Sequence, residues 1–404
     1  MNRSSMKLLV NVTSLYGQMT GIGHYTANLL RGLLDCPSVE DIQGIGLTGI
    51  WSKERITRWL QIEEKEAATS PQGSTSAFLY LARRLLTRIP NMIQLVQQIQ
   101  GWQMRLLGPG ENYLYWEPSY VLLPHRGPSV VTVHDLSHLR HPDFHPKERV
   151  RWLNRHLSAS LSRADHIIVV SRFTCRELLA YFDLPQNRIS VVPPGVGPEF
   201  RPFTPSQVET VLNRHGLEWK RYLLSVGTLE PRKNLLGLIR SFQSLPAWMR
   251  RRHPLVLVGA RGWLTDEIER LAARLESFGE LRWLGYVPRQ DLPFLYAGAL
   301  GFGYVSFYEG FGMPVLEAMA CGTPVLTSSR GALLETAGNA ALNADPDNPE
   351  EMAIGLALLI EDERERRRLT GLGLERAREF TWEGSVAKIR CCFESTMKTF
   401  SPSK

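Results

Sequence analysis

The 404-residue sequence contains few cysteines and lacks any long apolar run. Its five cysteines are odd in number, irregularly spaced and without a Cys-x-x-Cys pair, which argues against a disulfide framework or a zinc site and favours reduced thiols. No apolar run reaches the roughly 18 residues that a membrane-spanning helix needs. The apolar stretch near the N-terminus is too short for a signal peptide, and no small-residue cleavage site follows it. Together these absences predict a cytoplasmic protein.

The charge balance is basic, with 47 Lys and Arg against 40 Asp and Glu and a net charge of +7. Such a balance suits an anionic partner, which is a nucleic acid, an acidic membrane face or a phosphorylated substrate. Because the charge is scattered and no nucleic-acid-binding motif is present, we expect no nucleic acid partner.

Short apolar strands alternate with amphipathic helices in two runs, over residues 7–192 and 222–327. The Pro- and Gly-rich segment at 191–205 between them continues neither a helix nor a central strand and reads as a linker. Alternation of this kind is typical of parallel sheets covered by helices on both faces. The predicted fold class is α/β, with two Rossmann-like, doubly wound domains that bind ligands at the carboxyl ends of their strands.

The segment EGFGMPVLE, residues 309–317, follows a predicted strand and opens a predicted helix. Pro314 suits the first helical turn, and the N–H groups of a helix start attract an anion such as a phosphate. The free N–H groups are predicted on Val315, Leu316 and Glu317.

Two carboxylates flank this helix start, Glu309 and Glu317, while Gly310 and Gly312 would let a ligand approach the backbone closely. A pyrophosphate repels a carboxylate, so both glutamates are expected to accept hydrogen bonds from sugar hydroxyls. Glu309 would meet the transferred sugar and Glu317 the ribose. The alternative is a surface loop with helix-stabilising glutamates.

The segment GTLEPRKN, residues 227–234, lies between a predicted strand and a predicted helix with Asn234 as its N-cap. Its adjacent cations, Arg232 and Lys233, would neutralise a departing diphosphate. The alternative, a solvated pair of charges, fits poorly because the helix dipole disfavours cations at that end.

The segment GIGHY, residues 21–25, follows the first strand, and Gly21 and Gly23 would either wrap a phosphate or form only a tight turn. It is not the dinucleotide fingerprint, because Thr26 stands in place of a third glycine. His134 ends a later strand and would contact the donor sugar or the acceptor. Three further histidines in a Pro-containing loop are predicted to be surface residues: His138, His141 and His145.

Residues 76–107 form a basic apolar stretch with four arginines and no acidic residue. Such a stretch either lies on an anionic membrane or packs on its own domain with a solvated basic face.

These motifs resemble the large family of retaining glycosyltransferases with the GT-B fold, group 1 or family 4. The resemblance lies in the Glu-x7-Glu spacing, the GTLEPRKN loop and the GIGHY turn, and it covers nearly the whole chain. Bacterial mannosyl- and rhamnosyltransferases of O-antigen assembly look most similar. The resemblance is strong over residues 220–330 and weak over 51–115.

The resemblance implies a set of catalytic residues: Lys233, Arg232, Glu309 and His134. It implies that the nucleotide-sugar donor is bound by Gly21, Gly23, Gly227, Thr228, Tyr286, Val287, Gly310, Phe311, Gly312, Val315, Leu316 and Glu317. Many members carry Arg where this chain has Thr228, and Arg232 is expected to supply that second cation. Tyr286 and Val287 would cover the base. No metal and no cofactor is expected.

The family also implies a domain layout. An acceptor-side domain over residues 1–198 would carry a last helix, 383–404, packed back on it, and residues 199–382 would form the donor-binding domain. The expected enzyme is a hexosyltransferase that moves mannose or rhamnose from a GDP-linked donor to a lipid-linked or growing polysaccharide in lipopolysaccharide O-antigen synthesis. Its expected location is the cytoplasm, at the inner membrane face. The alternatives are a non-hydrolysing nucleotide-sugar epimerase and a catalytically silent nucleotide-sugar-binding protein.

Overall fold

The computed structural model describes residues 5–16, 19–69, 92–263 and 265–400. Within these residues the strands, in chain order, are β1 Met6–Asn11, β2 Val39–Gly46, β3 Gly49–Trp51, β4 Tyr113–Glu117, β5 Ser129–Val133, β6 His166–Val169, β7 Ile189–Val191, β8 Leu223–Val226, β9 Leu255–Val258, β10 Leu281–Gly285, β11 Gly301–Tyr304, β12 Val325–Ser328 and β13 Leu342–Ala344.

The described helices, in chain order, are α1 Gly21–Leu34, α2 Lys53–Thr69, α3 Met92–Leu107, α4 Ser137–Arg140, α5 Lys147–Arg163, α6 Arg172–Tyr181, α7 Pro205–Arg214, α8 Leu235–Gln243, α9 Ala247–Arg252, α10 Asp266–Glu276, α11 Leu292–Gly298, α12 Met313–Ala320, α13 Gly331–Ala337, α14 Pro349–Glu361, α15 Glu363–Arg378 and α16 Trp382–Thr399. None of these helices is long and apolar enough to cross a membrane.

The chain divides into two compact units. The first comprises Met1–Leu136, Glu148–Pro194 and Trp382–Lys404, and the second comprises Ser137–Lys147 and Gly195–Thr381. The chain therefore changes unit at 194/195 rather than at the expected 198/199. The short segment 137–147, which the sequence analysis counted with the first domain, groups with the second.

The first unit is built on a seven-stranded sheet in the order β3-β2-β1-β4-β5-β6-β7. All neighbouring strands run parallel except the β2–β3 pair. All five residues of β5 are buried, as expected for a central strand covered on both faces.

The last helix of the first unit, α16, packs against α1 and β5. The contact is close: a Cβ added at Gly32 on α1 would lie 2.4 Å from Val386 Cγ2, so only glycine fits without a shift. The Phe393 ring lies 5.8 Å from the ring of Trp116 in β4.

The second unit carries a six-stranded, wholly parallel sheet in the order β10-β9-β8-β11-β12-β13. Leu238, Ile239 and Phe242 on α8 are buried in its core, as their helical spacing predicts. The strand order reverses between β8 and β11, because β9 and β10 lie on one side of β8 and the later strands on the other. This reversal is the point at which doubly wound sheets bind ligands.

Candidate active site

The two segments of the second unit that carry the predicted catalytic residues both leave the sheet at this reversal. Residues 227–234 follow β8, and residues 305–312 follow the adjacent strand β11. Because the carboxyl ends of parallel neighbours meet at one edge, the two segments lie side by side. Phe307 N–H donates to the carbonyl of Arg232 at 3.0 Å and joins them.

Glu309 is the centre of a buried cluster at this edge and is only 7% exposed. Its Oε1 accepts from Lys233 Nζ at 2.5 Å, and its Oε2 accepts from Arg232 Nη1 at 2.5 Å. The Tyr304 hydroxyl at 2.8 Å and the Ser306 hydroxyl at 3.1 Å also donate to Oε1. The structure therefore brings together three residues that the sequence analysis had assigned to catalysis.

Burial works to raise the pKa of Glu309, but Arg232 and Lys233 outweigh it and hold the pKa below its ordinary value. Burial lowers the pKa of Lys233, and Glu309 works against that shift. Glu309 is consequently an anion at neutral pH, with two cations and two hydroxyls fixed around it.

Three members of this cluster were missed by sequence reasoning: Glu230, Tyr304 and Ser306. Glu230 Oε1 accepts from Arg232 Nη2 at 2.6 Å, so the two cations face two carboxylates. Tyr304 lies at the end of β11, and its hydroxyl accepts from Lys233 Nζ. A tyrosine inside an apolar strand pattern gives no signal of this role, whereas the i, i+2 spacing of Glu230 and Arg232 does.

Asn234 stands at the start of α8 as predicted, but its side chain does not cap the helix. It adopts a left-handed backbone with φ +53, and its amide donates to the carbonyls of Val305 and Pro346, at 3.2 and 2.8 Å. The side chain thus ties the 227–234 segment to its neighbours in the sheet edge.

The start of α12 determines which of the N–H groups predicted to be free are available. Gly312, at φ +106, is the N-cap, and the helix begins at Met313 with Pro314 in its first turn. Val315 N–H donates to the carbonyl of Gly312 at 3.0 Å, so the prediction that this N–H is free was wrong. In a helix that begins at 313 the N–H groups of Leu316 and Glu317 also belong to the internal ladder. Donors for an anion would therefore come from the backbone before Val315.

Glu317 occupies a second buried site, and its described hydrogen-bond partners differ from those of Glu309. It is 7% exposed; its Oε2 accepts from the Tyr296 hydroxyl at 3.0 Å, and its Oε1 lies 3.4 Å from Arg289 Nη1. Burial raises the pKa of Glu317, and Arg289 opposes the rise.

The predicted base-covering pair lies at the end of β10. Tyr286 is 60% exposed, whereas Val287 is buried. Gly285 precedes them at φ +67, a left-handed conformation that favours glycine. Thr228, which stands in place of the family arginine, is exposed, and Gly227 donates to the carbonyl of Val258.

Gly21, Gly23 and His134 belong to the first unit. Gly21 is the first residue of α1, and a Cβ at Gly23 would lie 2.6 Å from the carbonyl oxygen of Ser14, so Gly23 permits a close backbone approach. The Tyr25 ring lies edge-on to the His134 ring at 5.2 Å, which brings this turn to the end of β5.

The His134 ring is fixed by one hydrogen bond. Its Nε2 lies 2.7 Å from the carbonyl oxygen of Pro118, which can only accept, so Nε2 carries the proton. Burial lowers the pKa of His134, so the ring is neutral at neutral pH and presents Nδ1 as an acceptor.

The histidines after His134 were predicted to be surface residues, and this was wrong for two of them. His138 and His145 are buried. His141 stacks on Phe144, and Phe144 in turn stacks on Phe307, two residues before Glu309 in sequence. Apolar packing of the 137–147 segment, invisible in its Pro- and His-rich composition, accounts for the burial.

Among the residues that the structure describes, no group of three or more His, Cys, Asp or Glu side chains is placed to hold a metal ion. Asp345 and Asp347 have Asp-x-Asp spacing, but both pair with Arg330.

The stretch 76–107 is described only from residue 92 onward, as α3, and its arginines at 83, 84 and 88 lie outside the described residues. On the described part, three large apolar side chains are exposed: Ile99, Trp102 and Leu106.

Comparison with known proteins decides the family. Residues 209–373 match the model of glycosyl transferases group 1, and residues 58–200 match that of glycosyltransferase family 4. The O-antigen chain mannosyltransferase B of Escherichia coli is 37% identical over 385 residues, covering 95% of this chain and 98% of that protein. The chain belongs to the family 4, or group 1, glycosyltransferases.

A further relative and two solved structures are also similar to this chain, and the two structures show the fold alone. The serotype-specific mannosyltransferase WbdA of Escherichia coli is 29% identical over 64% of this chain and 32% of its own length. The structure of Anabaena HepE with UDP and glucose superposes with a TM-score of 0.67 at 18% identity, covering 96% of this chain and all of that one. WaaG, a glycosyltransferase of lipopolysaccharide biosynthesis, gives 0.64 at 16% identity, covering 95% of this chain and 98% of that one. The predicted family, GT-B fold and glycosyltransferase activity are confirmed.

Proposed function

We propose that this glycosyltransferase transfers a hexose from a GDP-linked donor to a growing O-antigen saccharide carried on a lipid, and that the preferred hexose is mannose. The observation that supports the proposal is the Glu309 cluster, in which two cations and a carboxylate are fixed at the ligand-binding reversal of a doubly wound sheet. The mannose and the O-antigen come from relatives, among them the 37% identical O-antigen chain mannosyltransferase B.

The donor would engage this cluster in two parts. Lys233 and Arg232 would face the diphosphate, and Glu309 would accept hydrogen bonds from hydroxyls of the transferred sugar. In the structure both cations are neutralised by carboxylates, Glu309 and Glu230. A diphosphate adds negative charge to this balanced cluster, so the cations would turn toward it and leave Glu309 acceptor sites for the sugar.

The chemical step requires no protein nucleophile in this proposal. The acceptor hydroxyl oxygen bonds to the anomeric carbon on the face from which the diphosphate departs, and the configuration is retained. The anomeric C–O bond to phosphate breaks, and the departing phosphate oxygen takes the hydroxyl proton. Charge stabilisation by Lys233 and Arg232 then supplies the catalysis, and one such donor is typically worth about 10²–10³ in rate.

Contact with an anionic membrane is part of the proposal. Ile99, Trp102 and Leu106 follow one another at i, i+3 and i+7, so they share one face of α3. They are 46%, 67% and 60% exposed, and Arg105 beside them is also exposed. An exposed apolar stripe next to a cation is typical of helices that lie in a lipid interface. A lipid-linked acceptor would be met there.

The decisive experiment measures nucleotide release and sugar transfer from GDP-mannose, GDP-rhamnose, UDP-glucose, UDP-N-acetylglucosamine and dTDP-rhamnose, with and without EDTA. We expect EDTA-insensitive turnover with GDP-mannose, and a loss of at least about 10²-fold in Glu309→Ala because the sugar loses its acceptor and the cations lose their fixed geometry. Glu361→Ala, an exposed change at the end of α14, is the matched control and should retain full turnover.

Each other outcome contradicts a stated part. Turnover with a uridine or thymidine donor alone would overturn the GDP assignment, and inhibition by EDTA would overturn metal independence. Conversion of the donor to an epimer without nucleotide release would establish the epimerase. Donor binding without any product, with acceptor saccharide present, would leave a binding protein.

A further inference from the structure

Arg289 lies outside every role assigned so far, yet it touches one of the two flanking glutamates. It begins the short turn Arg289–Asp291 that precedes α11. Its Nη1 is 3.4 Å from Glu317 Oε1, its Nη2 is 3.7 Å from Glu199 Oε1, and its guanidinium lies 5.2 Å from the centroid of the Phe200 ring. Its side chain is 27% exposed, so it is mostly enclosed by these three neighbours.

Glu317 has one donor on each carboxylate oxygen, Tyr296 on Oε2 and Arg289 on Oε1. A carboxylate offers about four acceptor positions, so two remain for a diol. The two adjacent hydroxyls of a ribose need two acceptors fixed in one plane. Tyr296 and Arg289 together fix that plane, since either alone would leave the carboxylate free to rotate about its last bond.

We propose that Arg289 is a positioning residue that holds the Glu317 carboxylate in place for the ribose hydroxyls of the nucleotide donor. This inference rests on the proposed function, in which Glu317 binds the ribose. Arg289 itself would touch the carboxylate rather than the reacting atoms.

The groups facing Glu317 act on its charge in opposite directions. Burial raises the pKa of Glu317 most, Arg289 lowers it by charge and hydrogen bond, and the Tyr296 hydrogen bond lowers it too. Glu199 raises it. The Cys321 thiol, directly after the end of α12, has its own pKa raised by burial and by Glu317 and stays neutral. Removing Arg289 therefore favours the protonated form of Glu317, and removing the Glu199 charge favours the ionised form of Glu317.

Because Arg289 and Glu199 shift the pKa of Glu317 in opposite directions, substitutions at these two residues form a matched pair of variants. In Arg289→Gln we expect the KM for the donor to rise about tenfold, the typical effect of losing one charged hydrogen bond, while kcat stays near the wild-type value. The acidic limb of the kcat/KM profile should move to higher pH. In Glu199→Gln the same limb should move to lower pH. Arg289→Lys should recover part of the KM, and Arg274→Gln, an exposed change on α10, should alter nothing.

Nucleotides that lack the 2′ or the 3′ hydroxyl test separately whether Glu317 binds the ribose and whether Arg289 positions Glu317. By calorimetry, wild type should bind each deoxynucleotide more weakly than the parent, and Glu317→Gln should not discriminate. Equal discrimination in Glu317→Gln and wild type would remove the ribose role itself. A different result would overturn the role of Arg289 alone. In that case Glu317→Gln would no longer discriminate between the nucleotides, whereas Arg289→Gln would discriminate as wild type does and would show an unchanged pH profile. Thermal unfolding of each variant checks that the loss is not one of folding.

Discussion

Glu117 is a carboxyl group that no proposed step uses, and it is buried at the carboxyl end of β4 in the first unit. Asn11 at 2.8 Å and the Tyr115 hydroxyl at 2.7 Å donate to its Oε2, and Ser119 N–H donates to Oε1 at 3.1 Å. Three donors do not offset its removal from water, and burial raises the pKa of Glu117 to about 8. Glu117 is therefore protonated in the folded protein at neutral pH.

The sign of the resulting pH dependence follows from linkage. The folded protein keeps Glu117 protonated up to about pH 8, whereas the unfolded chain releases that proton near its ordinary value of 4.5. The free energy of unfolding should therefore fall as the pH rises from about 5 to 8. Calorimetric melting temperatures measured at pH 5.5 and 8 should show a smaller fall in Glu117→Gln than in wild type.

Glu209→Gln on α7 is the control for this measurement, since Glu209 is exposed. It should reproduce the wild-type pH dependence. An identical fall in wild type and Glu117→Gln would mean that Glu117 is ionised in the folded protein and that its three donors outweigh its burial.

At the scale of elements, the start of α12 depends on one glycine. Gly312 has φ +106, which side chains other than glycine rarely adopt, and a Cβ there would lie 2.4 Å from Leu333 Cδ2. Leu333 is buried, so it has little room to move. Gly312→Ala should destabilise the protein by about 1–3 kcal/mol, the usual cost of strain or overpacking, and should displace the Glu309–Glu317 segment.

Gly371 provides the opposite case in the same unit. It lies inside α15, its added Cβ would meet nothing within 4 Å, and its φ is not positive. Gly371→Ala should stabilise the protein by roughly 0.5–1 kcal/mol without affecting turnover. Chemical denaturation measures both changes. Equal stability of the two variants would show that α12 does not need the left-handed N-cap.

The elements near the site were predictable because their signals are local. The Asn348 N-cap with Pro349 behind it is a capping pattern that can be read from the sequence, and in the structure its side chain accepts from two backbone N–H groups. The free N–H groups at the start of α12 were misassigned because Pro314 suits the first helical turn generally and does not fix the residue at which the helix begins. Strand β2 was missed because its charged and glycine residues hide a strand that is held by pairing with β1.

The partners within the site could not be predicted in the same way. Lys233 and Glu309 share a hydrogen bond because β11 ends next to β8, and this adjacency depends on sheet order rather than on spacing. Arg289 reaches Glu317 for the same reason, since α11 and α12 pack against each other. Sequence motifs therefore identified the residues on the donor edge, whereas their mutual hydrogen bonds required the fold.

At the scale of the whole molecule, the net charge of +7 and the apolar stripe on α3 predict the same surface behaviour. Charge attracts a protein to anionic lipid over a distance set by the ionic strength, about 8–10 Å at physiological salt, but holds it weakly. An exposed tryptophan adds a short-range apolar contribution that salt does not screen. Binding to anionic vesicles should therefore weaken with salt without disappearing.

Substitution of the stripe separates these two contributions. Trp102→Ser with Leu106→Gln should reduce co-sedimentation with phosphatidylglycerol vesicles by about tenfold or more, and what remains should be lost at high salt, because only charge is left. Trp248→Ser is the matched control, since Trp248 is 56% exposed on α9 of the second unit. Vesicles of phosphatidylcholine alone should bind neither protein strongly. If the double variant and Trp248→Ser co-sediment equally well, the α3 stripe has no part in membrane contact. Transfer to a water-soluble acceptor should be unchanged in the double variant, because the stripe lies in the first unit and the Glu309 cluster in the second.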